Sequence, residues 1–312
     1  MKYIEDFKED ERILGHYLCK QKQTLKTKSG KNYYSLKLQD KTGIIDAKVW
    51  ELNNDIHNFE EKDIIKIDGT VLLYQSSLQL KISKIRKSTE GEFEEADYIP
   101  TTDKNVEALV ENINELIQSI NDTYLKTLLE NIFIHDEFIS KTIKSHSAAK
   151  TIHHAYMGGL IEHTVAVTSI CDFLSTRYKF VNRDLLIAGS LLHDIGKIYE
   201  LSPFPDNDYT DMGELLGHIV IGVEMINKKA QEIDDFPEET LYLLKHLIVS
   251  HHGELEFGSP QRPKTIEAMV LHSADSADSK IKMFEEEIAK ADDKATWVGY
   301  HKLLQRNMRR VN

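Results

Sequence analysis

Two periodicities divide the chain. Tyr34, Leu36 and Leu38 alternate with Tyr33, Ser35, Lys37 and Gln39, and Ile45, Ala47 and Val49 alternate with Asp46, Lys48 and Trp50. That period of two predicts two half-buried strands, and Asp40–Gly43 supplies the turn between them. Further strand-like runs lie at Ile13–Leu25, Ile65–Leu73 and Leu78–Ile85. The stretch Glu51–Glu61, between the third and fourth runs, is expected to carry a short helix. After the charged segment Glu90–Ala96, which leads to Pro100, the period becomes helical: Val106, Leu109, Val110, Ile113, Leu116, Ile117 and Ile120 fall on one face, with Asp103 a candidate N-cap. A second helix carries Tyr124, Leu125, Leu128, Leu129, Ile132 and Phe133. From there on the pattern predicts amphipathic helices and almost no strand, with Thr296–Asn312 read as a basic helix end. There is no internal repeat and no low-complexity tract.

The fold class is therefore multi-domain α and β: a small closed β-barrel followed by an all-α domain. Five short strands with this spacing suit an OB-fold barrel. The expected boundaries are 1–95 for the barrel, 96–140 for a helical linker, 141–290 for the main helical domain and 291–312 for a basic tail. The length of 312 residues agrees with more than one domain.

Composition narrows the function classes. Thirty-nine basic against 51 acidic residues give a net charge of −12, which excludes a histone-like coating mode of nucleic-acid binding. With 41% apolar and 29% charged residues the chain can bury a core. Its longest apolar stretch, Leu185–Leu192, is far shorter than the roughly 20 residues of a membrane span. Residues 1–12 lack a signal-peptide core, and Cys19 and Cys171 are too few for a disulfide framework or a cysteine zinc site. A cytoplasmic location is expected.

The charge is uneven. Met1–Glu95 holds 17 basic and 17 acidic residues, so the whole excess of acid lies beyond it. Within the first part, Ile13–Trp50 carries eight lysines against Asp40 and Asp46. If Leu36, Leu38, Ala47 and Val49 face inward, Tyr33, Lys37, Lys48 and Trp50 face outward together. Aromatics set between lysines can stack bases while the ammonium groups hold phosphates, the way OB-folds bind single strands. The alternative is a set of ordinary strand aromatics on a protein-binding face.

The helical part concentrates candidate chemistry. Among 14 histidines are two His-Asp dipeptides, His135-Asp136 and His193-Asp194. The first lies on a polar helix end. The second closes the apolar run Leu185–Leu192 and precedes Ile195-Gly196-Lys197, which sets two potential ligands at a buried helix end. Further candidates are His163, His218, His251, His252 and Asp275. Any one histidine on such a helix is more often a hydrogen-bonded core residue. As an ordered set, neutral imidazoles with carboxylates suit a hydrolytic site for divalent transition ions.

With these segments the chain resembles the HD superfamily of metal-dependent phosphohydrolases. Gly158-Gly159-Leu160-Ile161-Glu162-His163-Thr164 is similar to its first histidine helix and Leu191-Leu192-His193-Asp194-Ile195-Gly196-Lys197 to its signature. Gly217-His218, Ser250-His251-His252-Gly253 and Ala274-Asp275 are similar to its later motifs. This extended order is the version associated with two metals. Its coupling to an N-terminal OB-fold resembles the YhaM-type 3′–5′ exoribonucleases, over nearly the whole chain.

The resemblance implies one ion held by His163, His193, Asp194 and Asp275. Asp194 would bridge to a second ion held by His218 and by His251, His252 or both. It further implies Asp194 in catalysis; Lys197, four residues after His193 on the same helical face, is expected to join it by contacting the phosphate, with a snorkelling surface lysine as the alternative. For His153 and His154 a substrate contact and a packing role stand side by side. Manganese is the first choice of metal, with cobalt, iron or nickel able to take the site. The implied activity is 3′–5′ exonucleolytic hydrolysis of single-stranded RNA, with single-stranded DNA as a further substrate, and a homo-oligomer is admitted. Two alternatives stand beside it: hydrolysis of a small nucleotide, such as a cyclic dinucleotide or nucleoside polyphosphate, and a non-catalytic DNA- or RNA-binding factor.

Overall fold

Strands form where the alternation places them: β1 Arg12–Lys26, β2 Asn32–Asp40, β3 Gly43–Val49, β4 Ile64–Tyr74 and β5 Ser77–Lys87. The computed structural model describes residues 2–75, 77–94, 97–150, 154–291 and 295–311. The five strands close in the order β1-β2-β3-β5-β4, with β3 and β5 parallel and the other neighbours antiparallel. That is the arrangement of an OB-fold barrel. A register shift between Cys19 and Gln21 bends β1, so that Arg12–Leu18 pairs with β4 and Leu18–Lys26 with β2. Leu36, Leu38, Ala47 and Val49 point inward and join Tyr17, Ile65, Ile67, Val71 and Leu80 in the barrel core. Residues 51–61 form no helix. Asn53 accepts from the Asp55 N–H at 2.9 Å, a local bond that competes with helix formation, and the segment instead inserts Phe59 into the barrel core.

The chain divides into two units, Met1–Thr101 with Phe204–Asp206 and Thr102–Pro203 with Asn207–Asn312. The second contains α1 Val106–Gln118, α2 Thr123–Phe133, α3 Glu137–Thr142, α4 Gly159–Ser175, α5 Arg183–Leu192, α6 Lys197–Glu200, α7 Asp211–Ala230, α8 Glu238–Ser250 and α9 Ile266–Lys290. Asn105, not Asp103, caps α1, its side chain accepting from the Ala108 N–H at 3.0 Å. Leu109, Ile113, Leu125, Leu128 and Ile132 share one core with Leu160, Leu186 and Leu247, so α1 and α2 are integral to the helical unit.

Every residue of Leu185–Leu192 is buried, and α5 packs against α4, α8 and α9. A helix apolar all round belongs at the centre of a bundle, and its C-terminal end then delivers the next residues into the interior. The chain ends in a two-stranded hairpin, β6 Trp297–His301 with β7 Arg306–Arg309, where a basic helix end was expected. The reason is local: Trp297, Val298 and Tyr300 favour extended backbone, and Met308 of β7 buries its side chain. Among the described residues no helix is long and apolar enough to cross a membrane.

Candidate metal centre

The end of α5 sets the centre. His193 lies at its C-cap and donates through Nδ1 to the Ser190 carbonyl at 2.7 Å. This satisfies a carbonyl left open by the end of the helix and turns Nε2 inward. His251 repeats the device at the end of α8, with Nδ1 on the Ile248 carbonyl at 2.7 Å. His163 comes from the second turn of α4 and Asp275 from the middle of α9. His218 enters after a break in α7 at Gly217, whose φ of 72° suits glycine. Its segment approaches so closely that a Cβ on Gly196 would lie 2.0 Å from the His218 carbonyl oxygen.

These elements bring the other six expected ligands around Asp194. Its Oδ2 lies 3.4 Å from His163 Nε2 and 3.3 Å from His193 Nε2. Its Oδ1 lies 3.5 Å from His218 Nε2 and 3.7 Å from His251 Nε2. Asp275 Oδ1 closes the first group, 3.2 Å from His163 Nε2. His252 joins the second, its ring centroid 4.3 Å from that of His251 and 5.2 Å from that of His218. Three groups of possible metal ligands result among the described residues: His163–His193–Asp275 and His218–His251–His252, one on each side of the Asp194 carboxylate, and His154–His163–Asp278, which shares His163 with the first.

Three atoms decide what this arrangement is for. Asp194 Oδ1, His218 Nε2 and His251 Nε2 are buried without a hydrogen-bond partner among the described residues. Buried polar atoms rarely stay unpaired, because the lost hydration is not replaced. Here an acceptor carboxylate and two imidazole nitrogens converge on one point, which fits a cation. The outer nitrogens of all five histidines are anchored: His193 and His251 as above, His252 on the Phe257 carbonyl at 2.9 Å, His163 on Asp278 at 2.7 Å and His218 on Glu200 at 3.0 Å. Such anchoring fixes the tautomer and points Nε2 at the metal.

Charges follow the same plan. Burial would raise the Asp194 carboxyl, but Lys197 and His193 hold it well below the usual carboxylate range. Burial likewise opposes ionisation of Asp275, and His163 overrides it. At His163 burial disfavours the cation, yet Asp275 and Asp278 push its pKa up to about 9. Burial, with His252 and His193 nearby, pushes His251 well below its ordinary value, which favours a neutral imidazole. Lys197 donates to Asp194 Oδ2 at 2.7 Å.

Comparison with known proteins covers most of the chain. The HD domain family matches residues 160–280, and the OB-fold nucleic acid binding domain family matches residues 20–87. A 3′–5′ exoribonuclease YhaM from Geobacillus sp. (strain WCH70) is 36% identical over 264 residues, 84% of this chain and 80% of the relative. The chain belongs to the YhaM family of 3′–5′ exoribonucleases. Among solved structures, the second OB-fold domain of replication protein A from Methanococcus maripaludis matches 30% of this chain and 98% of its own, at 22% identity and a TM-score of 0.24.

Within this YhaM-family chain the remaining sequence candidates fall as follows. His153 lies outside the described residues. His154 is buried, its Nδ1 2.9 Å from the Tyr156 hydroxyl and its Nε2 3.2 Å from Asp278, beside His163. His135-Asp136 is remote from the centre in role: Asp136 caps α3 through the Ile139 N–H and pairs with Lys229 at 3.2 Å. On the barrel, Tyr33, Lys37, Lys48 and Trp50 do share the outer face of β2 and β3. Tyr33 and Trp50 stack at 4.6 Å between centroids, and Lys48 reaches Ser35 Oγ at 2.6 Å, opposite Lys81 of β5 in register. Sequence reasoning missed Glu200 and Asp278. Asp278 stands three residues after Asp275, one helical turn along the same face, which is the signal that could have found it.

Proposed function

We propose that this chain shortens single-stranded RNA from its 3′ end, hydrolysing one phosphodiester at a time with two divalent cations, manganese first among them and cobalt, iron or nickel as competitors. The observation that carries the reading is the Asp194 carboxylate, with histidine nitrogens 3.3–3.7 Å from both of its oxygens and three buried atoms left unpaired around it. His163, His193, Asp275 and Asp194 would hold one cation; His218, His251, His252 and Asp194 would hold the other. Bound there, the pair would lower the pKa of a shared water and neutralise charge developing on the phosphate oxygens.

The rest falls to the chain's own groups. Asp194 divides its two oxygens between the halves of the site. Lys197, held beside it, offers an ammonium to a non-bridging phosphate oxygen. On the barrel, the Tyr33–Trp50 stack presents an aromatic surface to bases, while Lys37 and Lys48 meet phosphates. None of these contacts requires a 2′-hydroxyl, so single-stranded DNA is the second substrate. The setting is cytoplasmic, where the buried thiols of Cys19 and Cys171 stay reduced.

The test is a 5′-labelled single strand incubated with purified protein and manganese. Stepwise loss from the 3′ end that stops on chelation is expected. Turnover of a cyclic dinucleotide or nucleoside polyphosphate with inert RNA would replace this reading with a small-nucleotide phosphohydrolase. Retention of RNA without cleavage would make the chain a binding factor.

A further inference from the structure

Three of the five inward-facing histidines hang on backbone carbonyls, but each half of the centre has one that hangs on a carboxylate. Asp278 serves His163, and Glu200 serves His218. Glu200 does more than accept from one ring. The break at Gly217 makes His218 the first residue of a new helical segment, so its backbone N–H has no helical acceptor. Glu200 Oε1 takes that N–H at 2.9 Å and the ring Nδ1–H at 3.0 Å. The grip is itself fixed. Glu200 ends α6, is 8% exposed, and its own carbonyl accepts from the Thr210 N–H at 2.9 Å. Two bonds from one oxygen hold both the helix start and the ring, which leaves Nε2 facing Asp194 Oδ1.

We infer that Glu200 is the positioning residue of the His218 half: it selects the Nδ1–H tautomer of His218, aims Nε2 into the site and, as an anion, strengthens that nitrogen as a ligand. The inference rests on the two-cation reading above, and it assigns Glu200 no contact with substrate. Asp278 is the internal contrast, because it acts on the opposite half through His163.

The experiment uses the full chain as wild type, Glu200→Gln, Glu200→Ala and Asp278→Asn. The first readout needs no metal. Nitrogen-15 NMR of the histidine side chains after chelation should show His218 as the Nδ1–H tautomer in wild type and in Glu200→Gln, whose amide oxygen still accepts, but not in Glu200→Ala. The second is calorimetric titration with Mn²⁺. Wild type should show two binding events. Glu200→Ala should weaken one of them by about 10–100-fold and spare the other, and Glu200→Gln should fall between. Asp278→Asn should weaken the event that Glu200→Ala spares. An unchanged tautomer with both events intact in Glu200→Ala would overturn the inference. So would equal loss of both events in that variant, the mark of a merely structural residue. A single binding event in wild type would instead defeat the two-cation reading, and the tautomer measurement would still judge Glu200.

Discussion

Stripped of divalent cations, the chain should lose stability as pH rises from about 7.5 towards 9, and manganese should abolish that loss. The cause is His163, 2% exposed, with Asp278 2.7 Å from Nδ1 and Asp275 3.2 Å from Nε2. Its folded-state pKa is raised from 6.5 to about 9. A raised histidine contributes fully below its unfolded pKa, and the contribution disappears as pH climbs through the folded one. At roughly 1.4 kcal/mol per unit the whole effect is about 3 kcal/mol, of which about 1 kcal/mol goes between pH 7.5 and 8.5. Six other histidines, His16, His146, His154, His246, His251 and His252, have lowered values, so their contributions fade as pH falls through 6.5 and are nearly complete only above about pH 7.5. Cys19, pushed up to about 12 by burial, begins to matter above 9. The assay is urea unfolding followed by helical circular dichroism at about pH 7.5, 8.0 and 8.5, with chelator or with Mn²⁺, in wild type and His163→Asn. A cation on Nε2 displaces the proton and removes the slope. Flat stability in the chelated wild type, or an equal slope in His163→Asn, would refute the reasoning.

Other outcomes follow from the same geometry. Asp194→Ala should lower RNA hydrolysis by at least about a thousandfold while retaining the helical dichroism, and His135→Ala should be silent in the same assay; comparable loss in both would mean that the wrong dipeptide organises the site. His218→Ala should cut turnover by orders of magnitude yet keep about one manganese per chain by elemental analysis, and unchanged turnover would point to a one-metal centre. Tyr33→Ala with Trp50→Ala should weaken binding of a long single strand by about 1–3 kcal/mol per base unstacked, measured by fluorescence anisotropy without metal, while cleavage of an activated phosphodiester stays unchanged. Lys37→Ala with Lys48→Ala should reduce the salt dependence of that binding by about 0.7 for each phosphate no longer neutralised, and an unaltered slope would assign phosphate capture elsewhere.

How much of this was legible in the sequence depended on which physical constraint left a periodic trace. The barrel strands were, because a closed sheet must alternate: Leu36, Leu38, Ala47 and Val49 are all at most 1% exposed. The histidine–aspartate cluster was legible too: the motifs singled out His163, His193, Asp194, His218, His251, His252 and Asp275, and the fold brings them together. Residues 51–61 were misjudged because one buried aromatic, Phe59, leaves no period. The C-terminal hairpin was missed because four- and five-residue strands with exposed arginines look like the polar face of a helix. Glu200 and Asp278 escaped for a different reason. An acid on a helix ordinarily faces water, and only tertiary contact, through the Gly217 break and the approach of α9 to α4, turns these two inward.

The outer carboxylates also explain why so polar a centre can sit at the end of an apolar helix. Burial of Asp194, Asp275, Asp278 and Glu200 without compensation would be prohibitive, since isolated charges strongly resist leaving water. In the cation-free chain Lys197 lies against Asp194 and a protonated His163 between Asp275 and Asp278. With the remaining imidazoles counted as neutral ligands, four carboxylates against two cations leave the region two charges negative, enough compensation to fold but hostile to a phosphodiester. Two divalent cations, with release of the His163 proton, would turn that balance to one positive charge. The groups that keep the cation-free centre foldable are thus the ones that keep it from attracting RNA, and the scissile phosphate has an electrostatic reason to enter only a loaded site.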